Sequence, residues 1–476
     1  MMEIVDGFIT QLNNYLYSYI LIALLILGGL YYTIVGSFAQ FRGIGEGIRL
    51  LFEKSKDNTS LSGFQALMVS TASRVGVGNI AGVATAIAVG GSGAVFWMWL
   101  TALLGGATAC VESTLAQVYK TKTSDGSFTG GPSYYIQKAL KSRLLGVIFS
   151  VSLIATFAYG YELLQANLII SGLQRYVGSE RYTLIVIGLL LATVTAYAVF
   201  GGQKHIARIT ERLVPIMAVI YLIFCLIIIF KNIGNIPRVF ADIFSQGFDF
   251  KTILGGFAGS AIMQGIRRGL YSNEAGMGSA PNAAATVATS HPIKQGYVQM
   301  IAVYIDTIII CSATALMVLG TGVSTEGGAL PLVQRAVASQ FGEIGVIILT
   351  VSVFLFAFST IIGNYFYTEG NILFIVRRPS NFIIFRITVV AAIFIGCIME
   401  TNLAFNLADL TQGIMALINV PVLVLLTKPY RTVLNDYRAQ RKAGKNPVFI
   451  ASACGITGTD YWREEDAAEL KQLIDA

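Results

Sequence analysis

Charged side chains are scarce in this sequence: they make up 12% of its 476 residues, against about 25% in an ordinary soluble domain. Hydrophobic residues reach 55%. They fall in runs of about 20 residues, the length that a helix needs to cross a bilayer. A soluble globular domain is therefore excluded, and we predict an all-α polytopic membrane protein.

Features that carry other chemistry are also missing. The five cysteines include no CxxC pair, and the two histidines suggest no metal site. The sequence has no Walker lysine loop, and no cluster of nucleophile, base and metal ligands can be assembled from it. We therefore expect neither an enzyme nor an ATP-driven pump, and no cofactor. The net charge of +7 collects in loops on one side of the membrane, so nucleic acid is not an expected partner.

Eleven hydrophobic runs are long enough to be membrane spans. They fall at about 15–39, 63–89, 93–119, 144–172, 182–200, 213–231, 252–290, 296–320, 343–376, 381–399 and 403–427. Alternate loops are rich in Lys and Arg, which predicts an outer amino terminus and a cytoplasmic carboxyl terminus in the cell membrane. No basic segment with a cleavage site precedes the first run, so we expect that span to stay in the mature chain.

The second and seventh predicted spans look interrupted. The second contains Gly76-Val77-Gly78-Asn79, and the seventh runs from Gly255-Gly256 to Pro281, too long for one straight crossing. Unpaired backbone groups are tolerated at membrane depth only where they line a protein cavity. Freed N–H groups can hold a carboxylate and freed carbonyls a cation, as in secondary transporters. The alternative is a small-residue face for helix packing.

The spacing of the two broken spans predicts the domain organisation. They are five spans apart, so residues 63–231 and 252–427 form two five-helix units of opposite orientation, an inverted repeat. Residues 1–62 add an extra N-terminal span, at about 15–39, and a cytoplasmic loop. Residues 428–476 form a cytoplasmic tail.

Several ionisable residues fall inside predicted spans, namely Arg74, Glu162, Glu274 and Asp306. A charge at that depth is costly unless it is paired, and intramembrane acids often mark ion or proton sites. We predict that Arg74 pairs with one of these acids and occupies the place of a second coupling cation. The alternative is a structural ion pair that locks helices together.

Uncharged polar residues supply further candidates. Ser359 and Thr360 offer adjacent hydroxyls that, with unwound carbonyls, would suit sodium, although hydroxyls in helices also bond to their own preceding turn. Gln165 and Asn167 suit the amine or side chain of an amino acid, or else join helices by hydrogen bonds.

The run from Gly90 to Gly105, GGSGAVFWMWLTALLG, closely resembles the signature of the alanine or glycine:cation symporter family. Agreement continues at 74–84, 111–117, 130–132 and 272–281, and it covers the chain from about 60 to 427. The resemblance implies an inverted-repeat fold of the leucine-transporter type. It also implies import of a small neutral amino acid such as alanine or glycine by alternating access, with sodium as coupling ion and no obligatory protein partner.

The resemblance implies roles for individual residues as well. Sodium would be held by the carbonyls of Ala72 and Val75 and the hydroxyls of Ser359 and Thr360. Substrate would be bound by the N–H groups of Val77 and Gly78, beside Asn79, with Gln165 reaching it and a far wall formed by Gly259, Ser260, Ile262 and Met263.

One departure from the family pattern bears on the substrate. Members associated with alanine tend to have Trp after the glycine that follows the Ser-Thr pair, whereas this chain has Asn364 after Gly363. Exchange of an indole for an amide enlarges the pocket, so a larger substrate such as glutamine could be accepted besides alanine or glycine. The alternative class is an ion channel with a glycine-rich filter, although an antiparallel core is unlike the repeated subunits of channels.

Overall fold

The structure is a computed structural model that describes residues 2–53, 61–124, 126–178, 180–248, 260–326, 328–376, 379–466 and 470. The regular secondary structure of these residues is helical apart from one antiparallel ribbon, in which β1 (Thr121–Lys122) pairs with β2 (Phe128–Thr129). The prediction of an all-helical protein is confirmed in this part of the chain.

The amino-terminal half contains thirteen α-helices among its described residues. They are α1 Met2–Tyr15, α2 Ile22–Val35, α3 Ala39–Arg42, α4 Ile44–Leu51, α5 Gly63–Arg74, α6 Ala81–Gly90, α7 Gly93–Val118, α8 Pro132–Ala139, α9 Arg143–Ile154, α10 Tyr161–Val177, α11 Arg181–Phe200, α12 Gln203–Lys231 and α13 Ile236–Gly247. Single π-helical stretches, Leu16–Leu21 and Ala155–Gly160, join α1 to α2 and α9 to α10.

The carboxyl-terminal half continues in the same way. Its helices are α14 Ala261–Asn273, α15 Pro281–Ala284, α16 Pro292–Val303, α17 Ser312–Gly320, α18 Ala329–Ile375, α19 Pro379–Ile398, α20 Thr401–Leu425 and α21 Thr427–Lys442. A π-helical stretch, Tyr304–Cys311, joins α16 to α17. Helix α18 is kinked at Gly342, whose φ of +59° is unavailable to most side chains without strain.

Within the described residues, eight helical segments are long and apolar enough to cross a membrane. They are Asp6–Val35, Gly93–Val118, Arg143–Val177, Arg181–Phe200, Gln203–Lys231, Pro292–Gly320, Ala329–Ile375 and Thr401–Leu425. The pair Gly63–Arg74 and Val77–Gly90, bent by 56°, makes a ninth if it is one span, and Phe382–Ile398 is apolar but shorter. The chain is therefore a multi-pass membrane protein, and the count of eleven stays a prediction.

Burial shows which helices lie at the centre. Every residue from Ala66 to Ala84 and from Ser260 to Val303 is buried, so the central part of the second predicted span and the described part of the seventh are enclosed by protein. Helices α11 and α12 instead expose large apolar side chains, such as Tyr182 and Ile216, as a lipid-facing surface requires. The two interrupted spans therefore lie where protein, and not lipid, can satisfy their backbone groups.

The carboxyl-terminal tail packs back on the base of the bundle. Trp462 is fully buried, and its indole N–H donates to the carbonyl of Gln117 at 2.8 Å. Asp460 pairs with Lys138 at 2.7 Å, and the N–H of Phe449 donates to the carbonyl of Ser290 at 3.0 Å. The tail is thus part of the folded structure.

Candidate functional site

The break in the second span follows directly from its sequence. Helix α5 ends at Arg74, a single 3-10 turn covers Val77–Asn79, and α6 begins at Ala81. The Asn79 side-chain oxygen accepts from the N–H of Gly76 at 2.9 Å and so holds the loop in shape. The interruption predicted at these glycines is confirmed.

Backbone groups in this break are left free. The N–H groups of Val77 and Gly78 make no backbone hydrogen bond to any described residue, and the carbonyl of Val75 accepts none. Both kinds of group are enclosed by protein, because residues 75–80 are all buried. The break therefore offers donors for an anion and acceptors for a cation within a few residues of each other.

The ninth predicted span, within α18, approaches the break very closely. The Thr360 hydroxyl donates to the carbonyl of Ala72 at 3.0 Å. A Cβ added at Gly363 would lie 2.7 Å from the backbone nitrogen of Ser73, and one added at Gly76 would collide with Thr360 Oγ1. Only glycine at these two positions lets the helices come together, and this contact joins a hydroxyl to the unwound carbonyls.

Ser359 points elsewhere. Its hydroxyl donates to the carbonyl of Phe356 at 2.9 Å and lies 3.3 Å from the sulfur of Met217 in α12. Neighbouring residues of a helix face directions about 100° apart. The structure therefore brings Thr360, but not the Ser359 hydroxyl, onto the Ala72 carbonyl.

The described part of the seventh span is interrupted at Glu274–Ala280, within the stretch in which a break was predicted. Helix α14 ends at Asn273, and Glu274, Gly276 and Gly278 all have positive φ before the chain resumes as α15 at Pro281. Glycine makes two of these three conformations inexpensive. This break lies at the end of α14, and residues 249–259, which precede its start, lie outside the described residues.

The predicted far wall of the site lies at the opposite end of α14 and stays a prediction. Ser260 is the N-cap of α14, where its hydroxyl accepts from the N–H of Met263 at 3.2 Å. Ser260, Ile262 and Met263 thus lie at the start of α14, roughly 20 Å along a helix of 13 residues from the break. Gly259, together with Gly255 and Gly256, lies outside the described residues.

Glu112 of α7 holds the loop of the second break, at Glu274–Ala280, by hydrogen bonds. Its carboxylate accepts from the N–H of Gly278 at 3.1 Å and from the Asn419 amide at 2.9 Å, and it lies 3.4 Å from the N–H of Gly276. The sequence reasoning assigned no role to this residue. A carboxylate in an otherwise apolar run was the signal that could have indicated it.

Hydrogen bonds connect the two breaks through Ser73. Its hydroxyl lies 2.7 Å from the Glu274 carboxylate and 2.8 Å from the side-chain oxygen of Asn364, while Glu274 also accepts from Ser279 at 2.6 Å. The Asn364 amide nitrogen is buried and has no hydrogen-bond partner among the described residues. Asn364 therefore borders the break and keeps a free donor there.

Asp306 is bound by Asn79. The Asn79 amide donates to the Asp306 carboxylate at 2.7 Å, and the hydroxyls of Ser272 and Thr307 donate to it at 2.5 and 2.8 Å. Both ends of the Asn79 side chain are thus engaged by protein groups, so Asn79 shapes the site and its amide is not turned to a substrate.

Arg74 differs from its prediction. Its guanidinium is buried and donates to the Gln299 side chain at 3.2 Å, and it lies within 4 Å of no carboxylate in the described parts of the chain. Its charge does interact electrostatically with Glu112, Glu274 and Asp306. The predicted direct ion pair is therefore replaced by one cation placed among three buried acids.

Gln165 and Tyr271 close another side of the first break. The Gln165 amide donates to the Tyr271 hydroxyl at 2.9 Å, and a Cβ at Gly78 would lie 2.7 Å from the Tyr271 ring. The side-chain oxygen of Gln165 has no partner within the described structure. Asn167, in contrast, donates to the carbonyl of Met399 at 2.6 Å and joins two helices.

Neutral oxygens are available to a cation beside the first break. No group of three or more His, Cys, Asp and Glu side chains suited to a metal occurs among the residues that the structure describes. Sodium is a hard cation that accepts carbonyl and hydroxyl oxygens, which Ala72 and Thr360 present together.

Comparison with known protein families identifies the family of this chain. The model of the sodium:alanine symporter family matches residues 2–451. The chain belongs to this family of sodium:alanine symporters. Its members are transporters and not enzymes, as the sequence predicted, and the family implies sodium as the coupling ion.

Named relatives extend over nearly the whole chain. A probable sodium/glutamine symporter, GlnT of Bacillus subtilis (strain 168), is 43% identical over 98% of this chain and 98% of its own. The amino-acid carrier protein AlsT of the same organism is 42% identical over 95% and 97%. The sodium/alanine symporter AgcS of Methanococcus maripaludis is 36% identical over 92% and 98%.

A solved structure supports the fold. The chain resembles MhsT, crystallised with L-phenylalanine, with a TM-score of 0.56 at 14% identity, covering 89% of this chain and 99% of that one. MhsT has the leucine-transporter fold, so the symporter shares this fold at the level of its helix arrangement.

Proposed function

We propose that this symporter imports a small neutral amino acid together with sodium by alternating access, and that glutamine is its preferred substrate. The observation that supports it best is the interruption of the second span at residues 75–80, where the Val75 carbonyl and the N–H groups of Val77 and Gly78 are left without backbone partners in one loop. A cation and a carboxylate bound there stabilise each other, so neither binds well alone.

The sodium site in this proposal consists of the Ala72 and Val75 carbonyls and the Thr360 hydroxyl. The 3.0 Å contact between Thr360 and Ala72 supports it, because the same two oxygens can turn to one ion. Ser359 joins the site when its hydroxyl leaves the carbonyl of Phe356, which costs one intrahelical hydrogen bond. We expect Ser359 to contribute less than Thr360.

Substrate is held on the other side of the loop. The N–H groups of Val77 and Gly78 receive its carboxylate, as helix breaks in transporters do for anionic groups. Asn364 and Gln165 each keep one unpaired polar atom beside the breaks, a donor and an acceptor respectively. A glutamine side chain needs that complement, whereas alanine would leave both buried groups without a partner.

Topology completes the proposal. We place eleven crossings by adding α19 and the interrupted seventh span to the nine segments above, with an outer amino terminus and a cytoplasmic tail. The two breaks, one in each half, support an inverted five-plus-five repeat after the extra first span. The Lys and Arg distribution supports the orientation and a place in the cell membrane.

Competition between substrates tests the assignment. Labelled glutamine uptake into proteoliposomes is measured under a sodium gradient, with unlabelled alanine or glutamine as competitor, for the wild type and for Asn364→Trp. The indole removes the free amide and fills the space, so the variant should favour alanine over glutamine by at least tenfold relative to the wild type. Equal preference in both proteins contradicts the role of Asn364.

A further inference from the structure

A polar cavity lies away from the broken spans, at the ends of the first and last spans. It has a volume of about 310 Å³ and is lined by Arg42, Gly43, Glu46, Tyr297, Tyr437, Arg438 and Arg441. Arg438 donates to the carbonyl of Gly36, one residue after the first span ends. The Tyr31 hydroxyl contacts Thr427, just beyond the last span, at 3.1 Å. The cavity is therefore at the depth of a membrane surface.

Positive charge dominates the lining. Three arginines face one glutamate, and that glutamate is already engaged by Arg49 at 2.8 Å, by Arg441 at 3.2 Å and by the Tyr437 hydroxyl. Arg42 is exposed and has no hydrogen bond or ion pair to any residue that the structure describes. Arg42 can therefore bind an anion in the cavity without breaking an existing contact.

The neighbouring helices α3 and α4 expose apolar side chains. Phe38 is 50% exposed, Phe41 45% and Ile48 47%, all beside the end of the first span. The opposite face packs on the bundle, where a Cβ added at Gly47 would lie 2.6 Å from Ile301. A short segment with one apolar face open and arginines beside it is the pattern of a helix lying in the membrane interface.

We propose that this cavity binds the phosphate of an anionic phospholipid, with Arg42, Arg438 and Arg441 around the headgroup and the acyl chains along Phe38 and Phe41. Basic pockets between membrane helices are known to select anionic headgroups. A soluble phosphate would use the arginines alone, so the adjoining exposed apolar face favours the lipid. The bound lipid joins the first span and α21 to α16, which supplies Tyr297.

Binding of defined lipids to the purified full-length protein tests this site. Native mass spectrometry would titrate phosphatidylglycerol and phosphatidylcholine against the wild type and the double variant Arg42→Gln/Arg441→Gln. The matched control is Arg208→Gln/Arg431→Gln, which removes the same charge from exposed positions outside the cavity. Each arginine near an anionic headgroup is expected to contribute about fivefold in affinity, so the cavity variant should bind phosphatidylglycerol about 30-fold more weakly.

The outcomes separate the sources of the anion. We expect phosphatidylglycerol to bind more tightly than phosphatidylcholine, to raise the unfolding temperature of the wild type and control, and to resist an excess of inorganic phosphate. Displacement by inorganic phosphate would show a free-anion site and overturn the proposal. Equal binding of both lipids, or equal loss in the cavity and control variants, would overturn it as well.

Discussion

Substitution of Gly363 by alanine tests the contact on which the proposed sodium site depends. The added Cβ would lie 2.7 Å from the backbone nitrogen of Ser73, about 0.7 Å closer than the 3.4 Å at which ordinary contact begins. The atoms it meets belong to backbone, so the second and ninth spans must separate. Thr360 lies one helical turn from Gly363 on the same face, so its 3.0 Å contact with Ala72 should lengthen to about 3.7 Å, beyond hydrogen-bonding distance.

Overpacking of this kind costs roughly 1–3 kcal/mol, which corresponds to about 5- to 150-fold weaker sodium binding if the strain falls on the site. The assay is the sodium concentration that gives half-maximal amino-acid uptake in proteoliposomes. Gly370→Ala is a matched control on the same helix, because its nearest neighbour, Thr129 Oγ1, would lie 3.9 Å from the added Cβ. Identical sodium dependence in the two variants would refute the reasoning.

Three further predictions concern single side chains. Thr360→Val should abolish the stimulation of uptake by sodium, and Thr360→Ser should retain most of it. Ser359→Ala should have a milder effect than Thr360→Val. Uptake measured against sodium concentration checks this order, and a larger effect of Ser359→Ala contradicts the proposed site. Glu162 is fully buried with both carboxylate oxygens unpartnered among the described residues, so Glu162→Met should stabilise the purified protein by about 1–3 kcal/mol in thermal unfolding; a loss of stability contradicts this. Burial lowers the pKa of His291 to about 4, with Lys294 adding to it and Asp436 opposing it. The pKa of His291 in the folded state is below its value of about 6.5 in the unfolded state. Stability on the order of 3 kcal/mol that is present above pH 6.5 is therefore lost as the pH falls to 4. His291→Gln should make the unfolding temperature less dependent on pH across this window. A variant whose unfolding temperature depends on pH as in the wild type contradicts this prediction.

Much of the fold could be predicted from hydrophobic run lengths, because lipid imposes helices of nearly fixed length. The break at Gly76–Asn79 was predictable because two glycines and an asparagine interrupt an otherwise apolar run in which a continuous helix is expected. The approach of Thr360 to Ala72 was expected from the family resemblance and not from the hydroxyl pair alone, because hydroxyls in helices also bond to their own preceding turn.

The seventh span shows why the rest was not predictable. Its glycines occur in several places, and composition does not reveal which of them adopt positive φ. Tertiary contacts fix the break at Glu274–Ala280, because Glu112 and Asn419, on other helices, hydrogen-bond to the backbone of this loop. The partner of Arg74 was missed for the same reason, because Gln299 is 225 positions away and carries no charge.

Sodium-driven accumulation is the most direct test of the account. Labelled glutamine and alanine are offered to proteoliposomes of the wild-type protein, with an inward sodium gradient and a membrane potential of about 100 mV, negative inside. Each sodium then contributes about 2.3 kcal/mol from the potential alone, enough for roughly 40-fold accumulation of a zwitterion. We predict accumulation above the external concentration that collapses when the gradients are dissipated. Uptake that stops at equal concentrations, or that is indifferent to sodium, would contradict coupled transport.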